Sequence, residues 1–167
     1  AKKLAKQNID KIKNLINTQN VLVGIEPSSL LSFRDEYPSL VEEDIEQLNS
    51  NIYLFDEFFA KEIDQNNISA EQFTEKEEKI LLHGHCQQKA LIGSVYMEKM
   101  LSLPKNYSVE VIPSGCCGMA GSYGYEKRHY EKSKQIADLH LTKAINKADK
   151  STIISAPGTS CREQIKH

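Results

Sequence analysis

Four cysteines are the side chains of this sequence that are best suited to do chemistry. Cys116 and Cys117 are adjacent within "IPSGCCGMAGSYG", and Cys86 and Cys161 stand tens of residues away on either side. Adjacent cysteines rarely bond to each other, because the peptide between them must distort before the sulfurs meet. Four cysteines in 167 residues are also too few for the disulfide framework of a small secreted protein. We therefore expect metal binding or redox chemistry.

Composition excludes two classes of function and indicates a compartment. The net charge is −2, with acidic and basic residues well mixed, so the basic stripe that nucleic acid requires is absent. No apolar run approaches the roughly 18 residues of a membrane span, and no signal peptide is present. The lysine- and glutamate-rich background predicts a cytoplasmic protein, which could meet a membrane through a partner. The two ends of the sequence, AKKLAKQ and CREQIKH, predict a segment of a longer protein.

Strands and helices alternate along the chain. Apolar runs predict strands at 21–25, 51–55, 79–85, 107–113 and 151–157, and helical periodicity is found at 2–18, 87–103 and 130–149. This alternation predicts an α/β fold whose parallel or mostly parallel sheet is covered by helices on both faces. A short similarity between "VLVGIEPSSLLSFR" and "TIISAPGTSCREQI" predicts a repeat of βα units.

A polar, acidic stretch divides the sequence into two parts. Residues 64–78 have this composition and predict a connecting segment. Residues 1–63 contain no cysteine, whereas residues 79–167 contain all four. We therefore expect the chemistry to lie in the second part.

Each cysteine position follows a predicted strand, so the fold is expected to gather them. The carboxyl ends of parallel strands meet at one edge of a sheet, where ligand sites form. Four thiolates repel one another unless a cation joins them, and both iron–sulfur clusters and structural zinc use four such ligands. Zinc sites usually contain short C-x₂-C pairs, which this sequence lacks. The wide spacing favours a bulky cluster, with zinc, a redox-active Cys116–Cys117 pair and inert buried thiols as alternatives.

Several neighbours of the cysteines are candidates for supporting roles. His83 and His85 straddle the end of a predicted strand, where they could donate hydrogen bonds to the ligands, and His85 is an alternative ligand. Gly118 would let the backbone approach a cluster and turn N–H groups toward its sulfides. Arg162 could offset the charge of a cluster, whereas Lys89 is interpreted as solvated surface charge.

Three stretches of the sequence resemble a known family. "HGHCQQKAL", "SGCCGMAGSYGYE" and "GTSCREQI" resemble the cysteine-rich CCG domain of heterodisulfide reductases, glycolate oxidase iron–sulfur subunits and lactate-utilisation proteins. The resemblance is strong over 79–167 and extends to "GIEPSSLLSFRDEYPSLV", which looks like the end of a first CCG repeat. It is closest to the C-terminal part of large FAD-linked oxidases, in which a flavin domain precedes ferredoxin-like and CCG modules.

The resemblance implies a cofactor, a function and partners. It implies that Cys86, Cys116, Cys117 and Cys161 ligate an iron–sulfur cluster of the [4Fe-4S] type, which relays electrons from a flavin to an acceptor. The partners would be the flavin and ferredoxin-like domains of the same protein. FAD would bind in an upstream part, so the 167 residues alone are not expected to oxidise a 2-hydroxy acid such as lactate or glycolate.

Two departures from the family pattern qualify what the resemblance implies. Gly158 stands where some members have a further cysteine, which removes a fifth thiolate. Ser29 stands where a cysteine is expected in the first repeat, so residues 1–63 are expected to bind no metal. A zinc-binding structural module with a docking role is the alternative function, and a thiol–disulfide catalyst is the third.

Overall fold

Helices and short strands alternate through the whole chain. The computed structural model describes residues 1–167. In chain order the elements are α1 (Lys2–Ile12), β1 (Leu22–Gly24), α2 (Pro27–Leu30), α3 (Tyr37–Leu40), α4 (Glu46–Asn49), β2 (Ile52–Leu54), α5 (Phe55–Asp64), β3 (Glu78–Leu82), α6 (Cys86–Leu91), α7 (Val95–Leu101), β4 (Tyr107–Val111), α8 (Tyr130–Lys147), β5 (Ile153–Ser155) and α9 (Thr159–Lys166). Four 3₁₀ turns lie at Leu31–Phe33, Ala70–Gln72, Tyr123–Tyr125 and Lys127–His129.

All strand pairs are parallel, which confirms the predicted α/β class. β1 pairs with β2, and a second sheet has the order β4-β3-β5. In the second sheet Ile80 lies opposite Val109 on one side and Ile153 on the other. The strands thus form two sheets, one before and one after the 64–78 segment. The division of the chain into three segments at these boundaries stays a prediction.

Each sheet has its own hydrophobic core. The core beside β1 and β2 is aliphatic and consists of Leu30, Leu31, Ile52 and Leu54. The core beside the second sheet consists of Ile112, Cys117, Met119, Leu141 and Cys161. Two of the four cysteines are therefore part of a packed interior, where neighbouring side chains fix their positions.

Two predicted helices are shorter than their periodicity indicates. The helix expected at 87–103 is two helices, α6 and α7, because the chain turns at Gly93 with a φ of +79°. The helix expected at 2–18 ends at Ile12. The Asn17 side chain then accepts hydrogen bonds from the backbone N–H groups two and three residues further on, at 2.9 and 3.0 Å. None of the helices combines the length and hydrophobicity needed to cross a membrane.

Candidate metal centre

Three buried side chains from three different loops meet beside the second sheet. His83 follows β3, Cys117 follows β4, and Cys161 lies in the first turn of α9, after β5. Their potential ligand atoms all lie within 4.8 Å of one another. The residues are 0 %, 4 % and 2 % exposed, respectively. The parallel strands therefore bring donors from distant parts of the sequence to one buried point.

The other two predicted cysteine ligands occupy different environments. Cys116 is half-buried against the same core. The Gly118 N–H donates a hydrogen bond to Cys116 Sγ at 3.2 Å. Cys86 is the first residue of α6, is exposed, and lies outside the group of buried donors. All four cysteines are free thiols. The structure thus brings together three cysteines and places the fourth at the surface.

Gly118 allows the cysteine loop to contact two helices. Its φ is +97°, and a Cβ at this position would lie 2.1 Å from the Ser133 carbonyl oxygen of α8. The same Cβ would lie 3.1 Å from Nε2 of Gln164 in α9, which donates hydrogen bonds to Ser133 O and Oγ at 3.1 Å each. Only glycine satisfies both the backbone conformation and this close approach. The glycine therefore seats Cys117 against the α8–α9 pair.

The His83 ring is held in one orientation. Its backbone N–H donates to Ser155 O at 2.8 Å, which extends the β3–β5 ladder. Its Nδ1 lies 2.6 Å from Ser114 Oγ, whereas its Nε2 is buried without a hydrogen-bond partner. Burial, aided by the charge of Lys89, lowers the pKa of His83 to about 4. The imidazole is therefore neutral at physiological pH, the form that binds metals.

His85 fills the space beside Gly158. A Cβ on Gly158 would lie 2.4 Å from His85 Cδ2 and 3.4 Å from Cys161 Sγ. The ring is buried, its Nδ1 has no hydrogen-bond partner, and burial lowers the pKa of His85. Gly158 thus leaves space that the His85 imidazole occupies.

Two basic side chains support the loops around the cysteines. Lys89 Nζ donates to the carbonyl oxygens of Ser114 and Gly115, the latter at 3.0 Å, so its interpretation as solvated surface charge is wrong. Arg162 donates to the carbonyl oxygens of Ala156 and Pro157 at 3.3 and 2.6 Å. Both cations therefore brace the loops that follow β4 and β5. Sequence patterns missed these roles because the acceptors are backbone carbonyls, which any residue provides.

The thiol environment suits a bound cation better than a reactive thiolate. The adjacent Cys117 thiol and burial raise the pKa of Cys116 above its ordinary range. The Cys116 thiol lowers the pKa of Cys117, but hydrogen bonding to Cys161 and burial outweigh it and raise the pKa of Cys117 to about 11. Reactive cysteines have lowered pKa values, so this arrangement argues against a thiol–disulfide catalyst. A metal that binds here would displace the thiol protons.

The donor set fits a metal that accepts sulfur and nitrogen ligands. Thiolate and imidazole together hold zinc in many structural sites, and both occur as ligands of iron–sulfur centres. His83 belongs to the same close group as the thiols of Cys117 and Cys161, and its Nε2 is buried without a hydrogen-bond partner, as expected of a ligand rather than a packing residue. His83, Cys117 and Cys161 could therefore hold a metal.

The chain is similar to parts of known dehydrogenases. It is 30 % identical to D-2-hydroxyglutarate dehydrogenase of Escherichia coli (strain K12) over 165 residues, which cover 98 % of this chain and 16 % of that protein. It is 28 % identical to the D-2-hydroxyglutarate dehydrogenase of Haemophilus influenzae over 151 residues, which cover 87 % and 14 %. A subunit of the anaerobic glycerol-3-phosphate dehydrogenase of E. coli (strain K12) is 26 % identical over 168 residues, which cover 99 % and 41 %.

The share of each relative that the chain covers shows how the chain is related to these proteins. No family model and no solved structure matches the chain. The chain spans about one sixth of the length of the E. coli D-2-hydroxyglutarate dehydrogenase and about two fifths of the glycerol-3-phosphate dehydrogenase subunit. Over nearly its whole length, this chain is similar to a part of larger oxidoreductases.

Proposed function

We propose that this chain is an iron–sulfur electron-transfer domain of an FAD-linked oxidoreductase, which relays electrons from flavin to an acceptor. The observation that carries the proposal is the packing of Cys116, Cys117 and Cys161 at one core beside the second sheet. The similarity to dehydrogenases supports a redox role. The name of one E. coli relative contains D-2-hydroxyglutarate. This compound is a 2-hydroxy acid, the class of substrate that the family resemblance implies.

Cys116, Cys117 and Cys161 are the proposed thiolate ligands of a [4Fe-4S] cluster. The fourth ligand is Cys86 according to the family resemblance, whereas the structure offers His83. A bound cluster of this kind takes up and passes on single electrons. The protein supplies a buried setting around the ligands, and the Gly118 N–H donates to Cys116 Sγ. Hydrogen bonds to ligand sulfurs are one of the means by which proteins set cluster potentials.

The proposed electron donor is a flavin held by another part of the same protein. The flavin and ferredoxin-like domains of that protein would be the partners, and an acceptor protein or small molecule would take the electrons onward. The 167-residue chain alone is therefore expected to show no oxidation of a 2-hydroxy acid. Turnover of D-2-hydroxyglutarate or lactate by the purified chain, with an artificial electron acceptor, would contradict this assignment.

Metal analysis tests the proposal directly. The chain is reconstituted anaerobically with iron and sulfide, and iron, acid-labile sulfide and zinc are then measured. We expect about four irons and four sulfides per chain, as a [4Fe-4S] cluster requires, and an EPR signal after reduction. Zinc bound without sulfide would overturn the electron-transfer assignment.

A zinc-binding structural module with a docking role is the second candidate, and one observation favours it. Around a tetrahedral zinc ion, thiolate and imidazole ligands lie about 3.5–3.8 Å from one another. The three buried donors lie within 4.8 Å of one another, close to that spacing. A cluster sets its ligands further apart, because each sulfur binds a different iron. The same metal analysis separates the two candidates.

A further inference from the structure

We infer that His83, rather than Cys86, provides the fourth ligand of the metal centre, which would make it a three-cysteine, one-histidine site. The inference rests on the proposed metal-binding function and specifies its ligand set. It depends on the orientation of the His83 ring and on the position of the Cys86 thiol.

The hydrogen bonds of His83 leave Nε2 as the free nitrogen. Ser114 Oγ lies 2.6 Å from His83 Nδ1 and donates its own proton to Ile112 O at 3.4 Å. We assign the ring proton to Nδ1, so that the serine oxygen accepts from Nδ1–H. The lone pair is then on Nε2. Histidines that bind metals commonly donate the other ring N–H to a polar neighbour in this way.

The His83 ring lies in the neighbourhood of the Cys117 and Cys161 thiols. His83 Nε2 is buried and has no hydrogen-bond partner, and the residue belongs to the same close group as Cys117 and Cys161. A buried polar atom without a hydrogen-bond partner is unfavourable. A metal bound between the nitrogen and the thiolates would remove this cost. The backbone bond from His83 to Ser155 holds the residue in the sheet, so the ring is already positioned.

Cys86 is less well placed for the same role. Cys86 is the first residue of α6, three residues after His83, and it is exposed. It lies outside the group of donors within 4.8 Å of one another. Between the two candidates for the fourth position, only His83 lies within 4.8 Å of Cys117 and Cys161. Cys116 also lies outside that group, but it packs against the core that contains these two cysteines.

X-ray absorption of the zinc-loaded chain tests the ligand set. Zn²⁺ alone is added anaerobically to the reduced, metal-free 167-residue chain, and the fine structure gives the ligands around the metal. We expect three sulfurs at about 2.3 Å and one nitrogen at about 2.0–2.1 Å. Cys86→Ser should leave this shell and the zinc affinity unchanged. A shell of four sulfurs that loses one in Cys86→Ser would overturn the assignment of His83 while leaving the metal site intact.

Variants of His83 provide the second part of the test of the ligand set. His83→Ala should weaken zinc binding by more than about 100-fold, because residues that merely orient a ligand already contribute 10–100-fold. His83→Cys should restore binding with a four-sulfur shell. His140→Ala, at an exposed position of α8, is the matched control and should bind zinc as the wild type does. Absence of zinc binding by the wild-type chain would overturn both this inference and the metal site itself.

Discussion

The two halves of the molecule use the same local framework for different purposes. In the amino-terminal half (residues 1–63), β1 leads through a short turn into α2, and in the carboxy-terminal half (residues 79–167), β5 leads in the same way into α9. Ser29 is the third residue of α2 and Cys161 is the third residue of α9. Ser29 is exposed and Cys161 is buried. The third residue of the helix is thus a surface hydroxyl in α2 and an interior thiol in α9.

The difference between the halves lies in what fills the space beside each sheet. Aliphatic side chains fill it in the amino-terminal half. In the carboxy-terminal half two cysteines take part in the core, and the buried His83 lies beside them. A parallel sheet edge therefore provides the positions, and a few donor side chains decide whether a metal can be held there.

Two side-chain contacts join the halves near the cysteines. The Glu26 carboxylate accepts hydrogen bonds from the backbone N–H and the hydroxyl of Thr159 at 2.9 and 2.8 Å. Gln88 Nε2 donates to Asp56 Oδ2 at 2.8 Å. The first contact holds the start of α9, the helix that carries Cys161. The amino-terminal half therefore has a role in positioning the site, although it contributes no cysteine.

The largest expected effect is that of Gly118→Ala in the cysteine loop. The new Cβ would lie 2.1 Å from Ser133 O, in a backbone with a φ of +97°. We expect the free energy of unfolding in urea to fall by at least about 3 kcal/mol, from strain and displacement of α8. Gly115→Ala is the control, since its Cβ meets nothing within 4 Å, and it should cost no more than about 0.5 kcal/mol. Equal effects of the two substitutions would contradict the proposed seating of the loop.

Asp56→Asn tests the buried contact between the halves. Burial raises the pKa of the Asp56 carboxyl to about 6, above its unfolded value. The folded state therefore keeps a proton that the unfolded state loses, and the wild type loses stability as pH rises from about 4 to 6. We expect Asp56→Asn to be about 1 kcal/mol more stable than the wild type at pH 7, after allowance for partial exposure, and to lose this advantage near pH 4.

The pH series of unfolding curves needs one matched variant. Asp138→Asn, at an exposed position of α8, controls for the change of side chain. A constant difference between Asp56→Asn and the wild type from pH 4 to pH 7 would show that the carboxyl is not perturbed by burial.

Glu26→Gln weakens the contact between Glu26 and Thr159 and should have the smallest effect. Partial burial acts to raise the pKa of Glu26, but hydrogen bonds from Thr159 and Ser28 outweigh it and lower the pKa. The stabilisation is therefore present at neutral pH and is lost as pH falls below about 4.5 through the folded-state pKa. We expect a loss of about 0.5 kcal/mol at pH 7, because the carboxylate is partly exposed, and a smaller loss at acidic pH.

Measuring metal binding provides a second test of the role of Glu26. Because this carboxylate holds the start of α9, Glu26→Gln should also weaken metal binding, whereas the exposed Glu36→Gln should not. Lost stability with unchanged metal affinity would mean that the contact joins the halves without positioning Cys161.

The alternation of apolar runs and helical stretches was sufficient to predict the parallel α/β class. It could not predict that the strands form two sheets, because parallel pairing joins segments that are distant in sequence. The break at Gly93 was also missed, since the apolar periodicity continues across it. Element order is encoded locally, whereas pairing and helix breaks depend on tertiary contacts.

The sequence predicted the site through one feature, which is that each donor follows a strand of the second sheet. Strand order placed Cys117 and Cys161 at one sheet edge, where the structure has them. It could not distinguish His83 from Cys86, because the choice depends on which side chain turns inward at the end of β3. The 2.6 Å contact between His83 Nδ1 and Ser114 Oγ orients the imidazole, and no sequence pattern encodes that contact.

The most direct test of the account compares the metal content of Cys161→Ser with that of Ser29→Ala, after identical anaerobic reconstitution with iron and sulfide. Each of these residues is the third residue of its helix, α9 or α2. We expect Cys161→Ser to lose the iron and sulfide and Ser29→Ala to retain the wild-type content. Retention of the full content by Cys161→Ser would contradict a metal centre in the carboxy-terminal half.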